Sequence, residues 1–312
     1  MATSDFTSNV YHDGELAVQE RAGSSVQAAN SGRMISDSII PGAIKFVKKQ
    51  VFMVAGSVDE LGNVWASMVV GNTGFMTAES RTMQIDLSQS WRLESDPLWR
   101  NLSNDTRLGM LIIDLRSRAR LRVNGRVNFE DDNQLHVDVE QAYPNCPQYI
   151  QRRNYRPEFI ENTTKHRTTF VGTELNQQQQ DWIVNADTFF VASQHVSGGI
   201  DASHRGGNPG FVQIESSKRL RIPDYPGNGM FNTLGNFYAN PHAGIVFPDF
   251  ENGRTLQLSG QVTLLWDAED QRNPTKGTNR FWEFEIDRLI QIENSLPGTT
   301  EFLDYSPHNP KR

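Results

Sequence analysis

The sequence predicts a mainly β (α+β) fold in which one barrel-like unit occurs twice in tandem, with a few flanking helices. Three observations carry this: an internal repeat, short strand-like runs bounded by Gly, Asn and Pro, and sparse helical periodicity. Self-similarity at a fixed spacing marks duplicated structural units. Residues 65–75 read WASMVVGNTGF and residues 201–211 read DASHRGGNPGF. At an offset of 136, Ala66, Ser67, Gly71, Asn72, Gly74 and Phe75 recur as Ala202, Ser203, Gly207, Asn208, Gly210 and Phe211. Three further pairs keep the same order: FMVAGSV (52–58) with FFVASQH (189–195), GMLIID (109–114) with GIVFPD (244–249), and LRVNGRV (121–127) with LQLSGQV (256–262). Convergent turn chemistry explains one such match, not four in register.

Taken in chain order, a helix is expected around Gly14–Ala22. A second is expected over Ser36–Lys49, where Ile39, Ile40, Ala43, Phe46 and Val47 recur at helical spacing behind Asp37 or Ser38 as N-cap. Val51–Ala55 is an apolar, β-branched run that leads to a turn at Gly62. The runs at 109–113 and 244–247 are continuously apolar and suit strands buried on both faces. Leu121, Val123 and Val127 alternate with Arg122, Asn124 and Arg126, the pattern of a half-buried strand. A helix is read over Val139–Arg153. The polar stretch Asn154–Thr173, with Pro157, reads as a linker. Leu175–Asn185, holding the Gln177–Gln180 run on a solvated face, is the helix that opens the second copy. Phe189–Ala192 is its first strand, with a turn at Gly198 and Gly199. The domains are therefore 1–153, a linker at 154–173, and 174–312. Several short strands per copy fit a closed barrel better than a doubly wound sheet.

Composition bounds the function. The 312 residues are 37% hydrophobic and 21% charged, enough apolar material for a sizeable core. A formal net charge of −7 lacks the electrostatic footprint of a general nucleic-acid binder. The one cysteine, Cys146, excludes an internal disulfide framework and a Cys-rich zinc site; burial as a structural thiol is its plainer role. No run approaches the roughly 20 apolar residues of a membrane span. Met1–Asn9 is polar and carries Asp5, unlike a signal or transit peptide, so the sequons at Asn101, Asn104 and Asn162 read as chance and the expected location is cytoplasmic. Dinucleotide, P-loop, zincin and nucleophile-elbow motifs are absent. The seven histidines are scattered without zinc-ligand spacing, so no metal site is expected.

The segment 203–236 is the informative one. Arg205, Lys218, Arg219 and Arg221 concentrate positive charge, and guanidinium forks match phosphate. Asp224–Asn228 (DYPGN) contains a glycine that lets backbone N–H groups approach a ligand, with Asn228, Asn232, Thr233 and Asn236 beside it. An ordinary basic strand ending in a hairpin turn has the same composition. The repeat weighs against it. At offset 136, Arg219 faces Met83, Arg221 faces Ile85, Gly227 faces Trp91, Asn228 faces Arg92 and Thr233 faces Pro97. A feature needed only to fold the unit belongs in both copies, so this points to one ligand site, built mainly by the second.

Residues 189–262 resemble the pyridoxamine 5′-phosphate oxidase-related, FMN-binding split-barrel family, through FFVAS, DASHRGGNPGFV, LRIPDYPGN, FNTLGN, NPHAGIVF and TLQLSGQV in order. YHDGELAVQERAG (11–23), NCPQYIQRR (145–153) and SPHNP (306–310) resemble members that carry two barrels. The resemblance covers most of the chain and implies a six-stranded split barrel in each copy. It also implies FMN at the interface between barrels, an internal pseudo-dimer within one chain. It places Arg219 and Arg221 on the FMN phosphate, completed by Asn228, Asn232 and Thr233. Backbone from Ile222, Pro223, Asp224 and Tyr225, with Gly227 in the turn, would line the ring edge, and Ser203, His204 and Arg205 would lie on the adjacent strand. Phe231 and Asn232 stand where relatives often have Arg and Asp.

The function implied is an FMN-dependent oxidoreductase of pyridoxamine 5′-phosphate oxidase-like type, transferring hydride or electrons through flavin N5 between a small-molecule substrate and an electron donor. His204 and Arg205 are the catalytic candidates for acid–base work and anion pairing; a buried strand histidine without a role is the plainer alternative for His204. The residues that would mark pyridoxamine phosphate as substrate are not found. A second reading is a flavin- or haem-binding protein that stores, senses or breaks down its cofactor, with His195, His204 and His242 as the histidines of the second copy. A third is an interaction module that has lost its cofactor. The expected assembly is a monomer or a homodimer, without nucleic acid or membrane partners. His12, Glu15 and Gln19 share a helix face that either closes over the site or packs on the barrel.

Overall fold

The computed structural model describes residues 10–131, 133–158, 168–271 and 273–311. The first half runs α1 (Asp13–Arg21), α2 (Ser25–Gly32), α3 (Pro41–Lys49), β1 (Phe52–Val58), β2 (Val64–Val70), β3 (Met76–Ala78), β4 (Thr82–Asp86), α4 (Pro97–Asn104), β5 (Arg107–Asp114), β6 (Ala119–Asp131) and β7 (Gln134–Pro144). Strands β8 (Arg152–Arg156) and β9 (Thr169–Gly172) follow. The second half runs α5 (Gln177–Asn185), β10 (Thr188–His195), β11 (Gly199–Gly206), β12 (Gln213–Ser216), β13 (Arg219–Pro223), α6 (Asn232–Ala239), β14 (His242–Asp249), β15 (Arg254–Leu265), β16 (Phe281–Ile292) and β17 (Thr299–Asp304).

The strand order is β2-β1-β5-β6-β7-β4-β3 in the first sheet and β11-β10-β14-β15-β16-β13-β12 in the second. Element by element these are the same path, so the chain is two tandem split β-barrels. Seven strands lie on each path rather than six, because short β3 and β12 pair onto β4 and β13. The correspondence reaches single hydrogen bonds. Asn101 Nδ2 donates to Ser57 Oγ at 3.0 Å, and Asn236 Nδ2 donates to Ser193 Oγ at 2.9 Å. Both long strands carry a bulge at corresponding positions, Asn124/Gly125 and Ser259/Gly260.

Three apolar clusters explain the strand patterns. Met110 and Ile112 enter the first barrel's core, and Ile245 and Phe247 enter the second's. The alternate residues Leu111, Ile113 and Val246 enter a third core that both barrels build, with Val54, Ala66, Phe190, Ile200 and Ala202. The continuous apolar runs are thus buried on both faces because the second face meets the other barrel. Each fully buried aliphatic or aromatic side chain there stabilises by about 1.5–3 kcal/mol. The barrels approach backbone to backbone at mirrored points. A Cβ on Gly109 would lie 2.4 Å from the Ile200 carbonyl oxygen, and one on Gly244 would lie 2.6 Å from Trp65 Cα.

Several local expectations are corrected. Helix α3 starts at Pro41, behind an extended Ile40, instead of behind Asp37 or Ser38; proline at the first helical position has no amide to leave unpaired. Residues 139–144 continue β7, whose alternation extends because β6 is there to pair with it, and β8 follows where the helix over Val139–Arg153 was expected to end. The stretch read as a linker contributes the end of β8, which pairs with β17, and the whole of β9, which pairs with β16; residues 159–167 lie outside the described residues. Helix α5 opens on a reciprocal cap between Asn176 and Gln179. Among the described residues no helix is long and apolar enough to cross a membrane.

Candidate functional site

Strand β11 pairs with β10 inside the second barrel, and its far side faces β6 of the first. Between them lies a cleft of about 900 Å³, measured out to its open mouth. Arg120 and Arg122 enter it from β6, and Ser203, His204 and Arg205 from β11. The segment from Pro223 to Gly229 and the start of α6 form the opposite wall, and Cys146 and Tyr149 complete the rim.

Three guanidinium groups converge here. Arg122 Nη1 donates to Tyr143 Oη at 2.8 Å and lies 3.4 Å from Asp201 Oδ1, while Nη2 donates across the barrel boundary to Ser203 Oγ. Ser203 Oγ in turn meets Thr233 Oγ1 at 2.9 Å. Arg120 Nε donates to the Cys146 carbonyl oxygen at 2.9 Å. Burial, with Arg122 and Arg205 nearby, pulls the Arg120 pKa down to about 9. Burial also lowers Arg205, Asp224 partly offsets this, and Arg122 lowers it further. The neighbouring carboxylates are already engaged: Asp224 with Arg280 at 3.0 Å, and Asp201 with Asn124 at 2.7 Å and Asn236 at 3.1 Å. The cleft therefore carries an excess of positive charge in an acidic chain.

His204 is buried, and its pKa is held well below the ordinary value by burial first and then by Arg120, Arg205 and Arg153. Neither of its ring nitrogens has a hydrogen-bond partner, nor do the Nε atoms of Arg122 and Arg205. These buried polar atoms are left open to a ligand or to water. Burial and the neighbouring guanidinium groups thus favour the neutral, hydrogen-bonding form of the His204 imidazole.

Helix α6 begins unusually. Its N-cap is Phe231, with φ of 57° and no side-chain cap. Tyr149, on the facing rim, has φ of 64°. Bulky residues rarely adopt this left-handed conformation, which costs about 1–3 kcal/mol each. Arg280 stacks over Phe231 at 5.0 Å, and Tyr149 packs against Tyr225 at 4.8 Å while donating to the Pro226 carbonyl at 3.0 Å. The first-turn amides of α6 are left without a side-chain acceptor at the positive end of the helix, where an anion is favoured.

Helices α1 and α2 hold this wall in place. Gln19 Nε2 donates to the Met230 carbonyl (2.9 Å), Gln27 Nε2 to that of Gly227 (3.0 Å) and Ser31 Oγ to that of Asn228 (2.8 Å). Asn232 Nδ2 donates to Glu15, whose pKa is pushed up to about 7 by burial and then by Asp201. His12 Nε2 donates to Asn236 Oδ1 at 2.8 Å. His12, Glu15 and Gln19 thus anchor α1 to α6 and the segment before it. The seven histidines are less scattered in space than in sequence: His12 and His195 stack at 4.0 Å beside Asp13. His195 accepts at Nδ1 from Gly198 N (2.9 Å), with Nε2 3.0 Å from Asp13.

Of the residues singled out in sequence, Ser203, His204, Arg205, Pro223, Asp224, Tyr225, Gly227, Asn228, Asn232 and Thr233 line the cleft. Ile222 points into the second barrel's core. Arg219 and Arg221 do not reach the cleft. They stand on the outer face of β13 against Glu285 (2.8 Å) and Glu283 (3.9 Å), with Arg221 over the Phe281 ring. In the paired strands Arg219 corresponds to Thr82 and Arg221 to Gln84, one position from the constant-offset partners Met83 and Ile85. A one-residue slip exchanges the two faces of a strand. Asp224–Asn228 is the irregular connection from β13 to α6 and not a hairpin turn.

The cleft residues that sequence reasoning passed over are Arg120, Arg122, Tyr149 and Phe231. One signal was available. The positions of Arg120 and Arg122 in the second copy hold Thr255 and Gln257, an asymmetry of the same kind as that in the 203–236 segment. The cleft is shared: the second barrel contributes β11 and the α6 wall, and the first contributes the arginines of β6.

No protein-family model matches the chain, and no curated protein does. Solved structures do. It is similar to HupZ of Group A Streptococcus (16% identity, 40% of this chain and 98% of that one, TM-score 0.31). It is also similar to a FAD-binding protein from Mesorhizobium loti (14%, 41% and 98%, TM-score 0.29). A third is a protein related to general stress protein 26, of the pyridoxinephosphate oxidase family, from Clostridium acetobutylicum (11%, 40% and 92%, TM-score 0.30). The solved proteins to which this chain is similar, over about two-fifths of its length, thus include a member of the pyridoxinephosphate oxidase family.

Proposed function

We propose that the chain binds FMN in the inter-barrel cleft and acts as an FMN-dependent oxidoreductase on a small-molecule substrate. The observation that carries this reading is the convergence of Arg120, Arg122 and Arg205 with the uncapped start of α6 on one cleft rimmed by aromatic side chains. Guanidinium groups and first-turn amides suit a phosphate. Tyr149, Tyr225 and Phe231 offer apolar faces to a planar ring. The unpaired Nε atoms of Arg122 and Arg205 and the ring nitrogens of His204 fit a ligand rich in hydrogen-bonding groups. Bound there, FMN supplies hydride or electron transfer through N5. The protein's part is to hold the phosphate with the arginines, to keep the ring between the barrels, and to present a neutral His204. Arg205 is the residue proposed to pair with an anionic substrate.

The unpartnered His204, its pKa held low, favours a second reading, in which the cleft would take haem and His204 would be the residue that holds its iron. The absorption spectrum of the purified protein separates the two. Flavin bands with about one FMN released per chain are expected. The Arg120→Ala, Arg122→Ala variant should bind FMN at least about 100-fold more weakly, from the loss of two charge-assisted hydrogen bonds. Arg219→Ala with Arg221→Ala should keep it. A Soret band lost in His204→Ala would replace flavin by haem. A colourless protein that takes up neither cofactor would overturn both readings.

A further inference from the structure

Element order, helix length and strand register put the two halves in correspondence around α4 and α6, so the cleft has a positional twin. Helix α4 spans eight residues, as α6 does, and strands β5–β6 turn from Asp114 to Ala119 where β14–β15 turn from Asp249 to Arg254. On this alignment Ser203 corresponds to Ser67, Arg122 to Gln257 and Thr233 to Leu98. Phe231, the uncapped N-cap, corresponds to Asp96.

At the twin position a buried carboxylate sits on the donors. Asp96 is buried, and its Oδ1 accepts from Leu98 N at 3.0 Å and from Ser67 Oγ at 2.6 Å. Its Oδ2 accepts from Gln257 Nε2 at 2.8 Å. These donors mirror those of the open cleft: the helix start, the serine of the second strand, and the side chain reaching across from the other barrel's long strand. Gln257 Nε2 also donates to Ser67 Oγ (3.1 Å) and the Ala66 carbonyl (3.2 Å), as Arg122 reaches Ser203. One negative group sits on a matched set of donors; in the other half no side chain caps the helix start, while Ser203 Oγ meets Thr233 Oγ1 and Arg122 faces Asp201.

We infer that the first half carries a latent twin of the anion site, and that the Asp96 carboxylate is its resident anion, standing where the open cleft takes an anionic group from solution. This deepens the proposed function and rests on it only in taking the α6 cleft as an anion site. It follows that the chain takes one anionic ligand and not two. Removing the Asp96 side chain opens a second site sized for a small oxyanion.

The test is chemical rescue in the full chain. Asp96→Gly is melted in sodium formate and, at equal ionic strength, in sodium chloride. The variant should melt below the wild type in chloride, and formate should close at least half of that difference, raising the variant's melting temperature by more than it raises the wild type's. Titration of formate into the variant should show one more site than in the wild type. If Asp96→Gly does not fold, Asp96→Ser retains a hydroxyl cap and carries the same measurements. Equal responses of variant and wild type to formate, or none in either, overturn the inference. No flavin is added, so this outcome is independent of the flavin titration that tests the proposed function.

Discussion

Arg122 of the first barrel donates to Ser203 of the second, and this bond joins the two halves at the floor of the cleft. Arg122 also compensates Asp201, so it serves both the architecture and the charge of the site. Replacing it by alanine leaves a buried carboxylate without its cation, which costs about 3–5 kcal/mol. Urea unfolding of Arg122→Ala should show this loss. Arg219→Ala, on the exposed face of β13, should leave the transition midpoint in place.

Gly14 and Gly235 bring α1 and α6 into backbone contact. A Cβ on Gly235 would lie 2.5 Å from Glu15 Cα, and one on Gly14 would lie 2.3 Å from the Gly235 carbonyl oxygen. The obstacle is backbone, which does not rotate away, so Gly235→Ala should cost about 1–3 kcal/mol. Hydrogen exchange should locate the damage, with faster exchange in α1 and in 227–230 and unchanged protection in β5 and β6.

Glu15 makes stability depend on pH. Its folded pKa of about 7 lies above the ordinary 4.5, so between these values the folded state binds more protons than the unfolded. Its contribution is present below pH 4.5 and is lost as pH rises through 7, up to about 3 kcal/mol. Asp96, raised to about 6 by burial against the opposing pull of three donors, adds a contribution of the same sign. Stability measured by urea from pH 4.5 to 8 should decline from this source, and Glu15→Gln should flatten the profile.

Much of this was legible in the sequence, because the repeat is written in turn glycines and in strand runs that the fold needs twice. The segment from Ser203 to Thr233 was legible for the opposite reason, since only one copy carries it. The arginines of β6 were not. Arg122 and Asn124 alternate with Leu121 and Val123 as a half-wet strand does, but both are buried against the other barrel. Alternation reports that one face is polar and is silent on whether water or protein covers it. Arg219 and Arg221 failed differently: the offset between copies drifts by one residue across β4 and β13, and that turns the chain over.

At Phe231 the two halves differ in how the helix is capped, and exchanging its chemistry for that of its twin tests the whole account. Phe231→Asp puts a carboxylate on the start of α6, as Asp96 does on α4. Aspartate tolerates the left-handed backbone better than phenylalanine and caps a helix, which together should stabilise the ligand-free chain by about 1 kcal/mol. Against this stands the loss of the Phe231 ring under Arg280, worth about as much at a partly exposed position. The net change in stability should therefore be small. The change in binding should not be. The new carboxylate would occupy the first-turn amides and face Arg122 and Arg205, so FMN or any phosphate ligand would meet a neutralised and filled site. Flavin titration of Phe231→Asp should show at least about 100-fold weaker binding at unchanged stability. Phe231→Asn, which caps without charge, should retain more of the affinity, and equal binding by both variants would remove the anion from the argument.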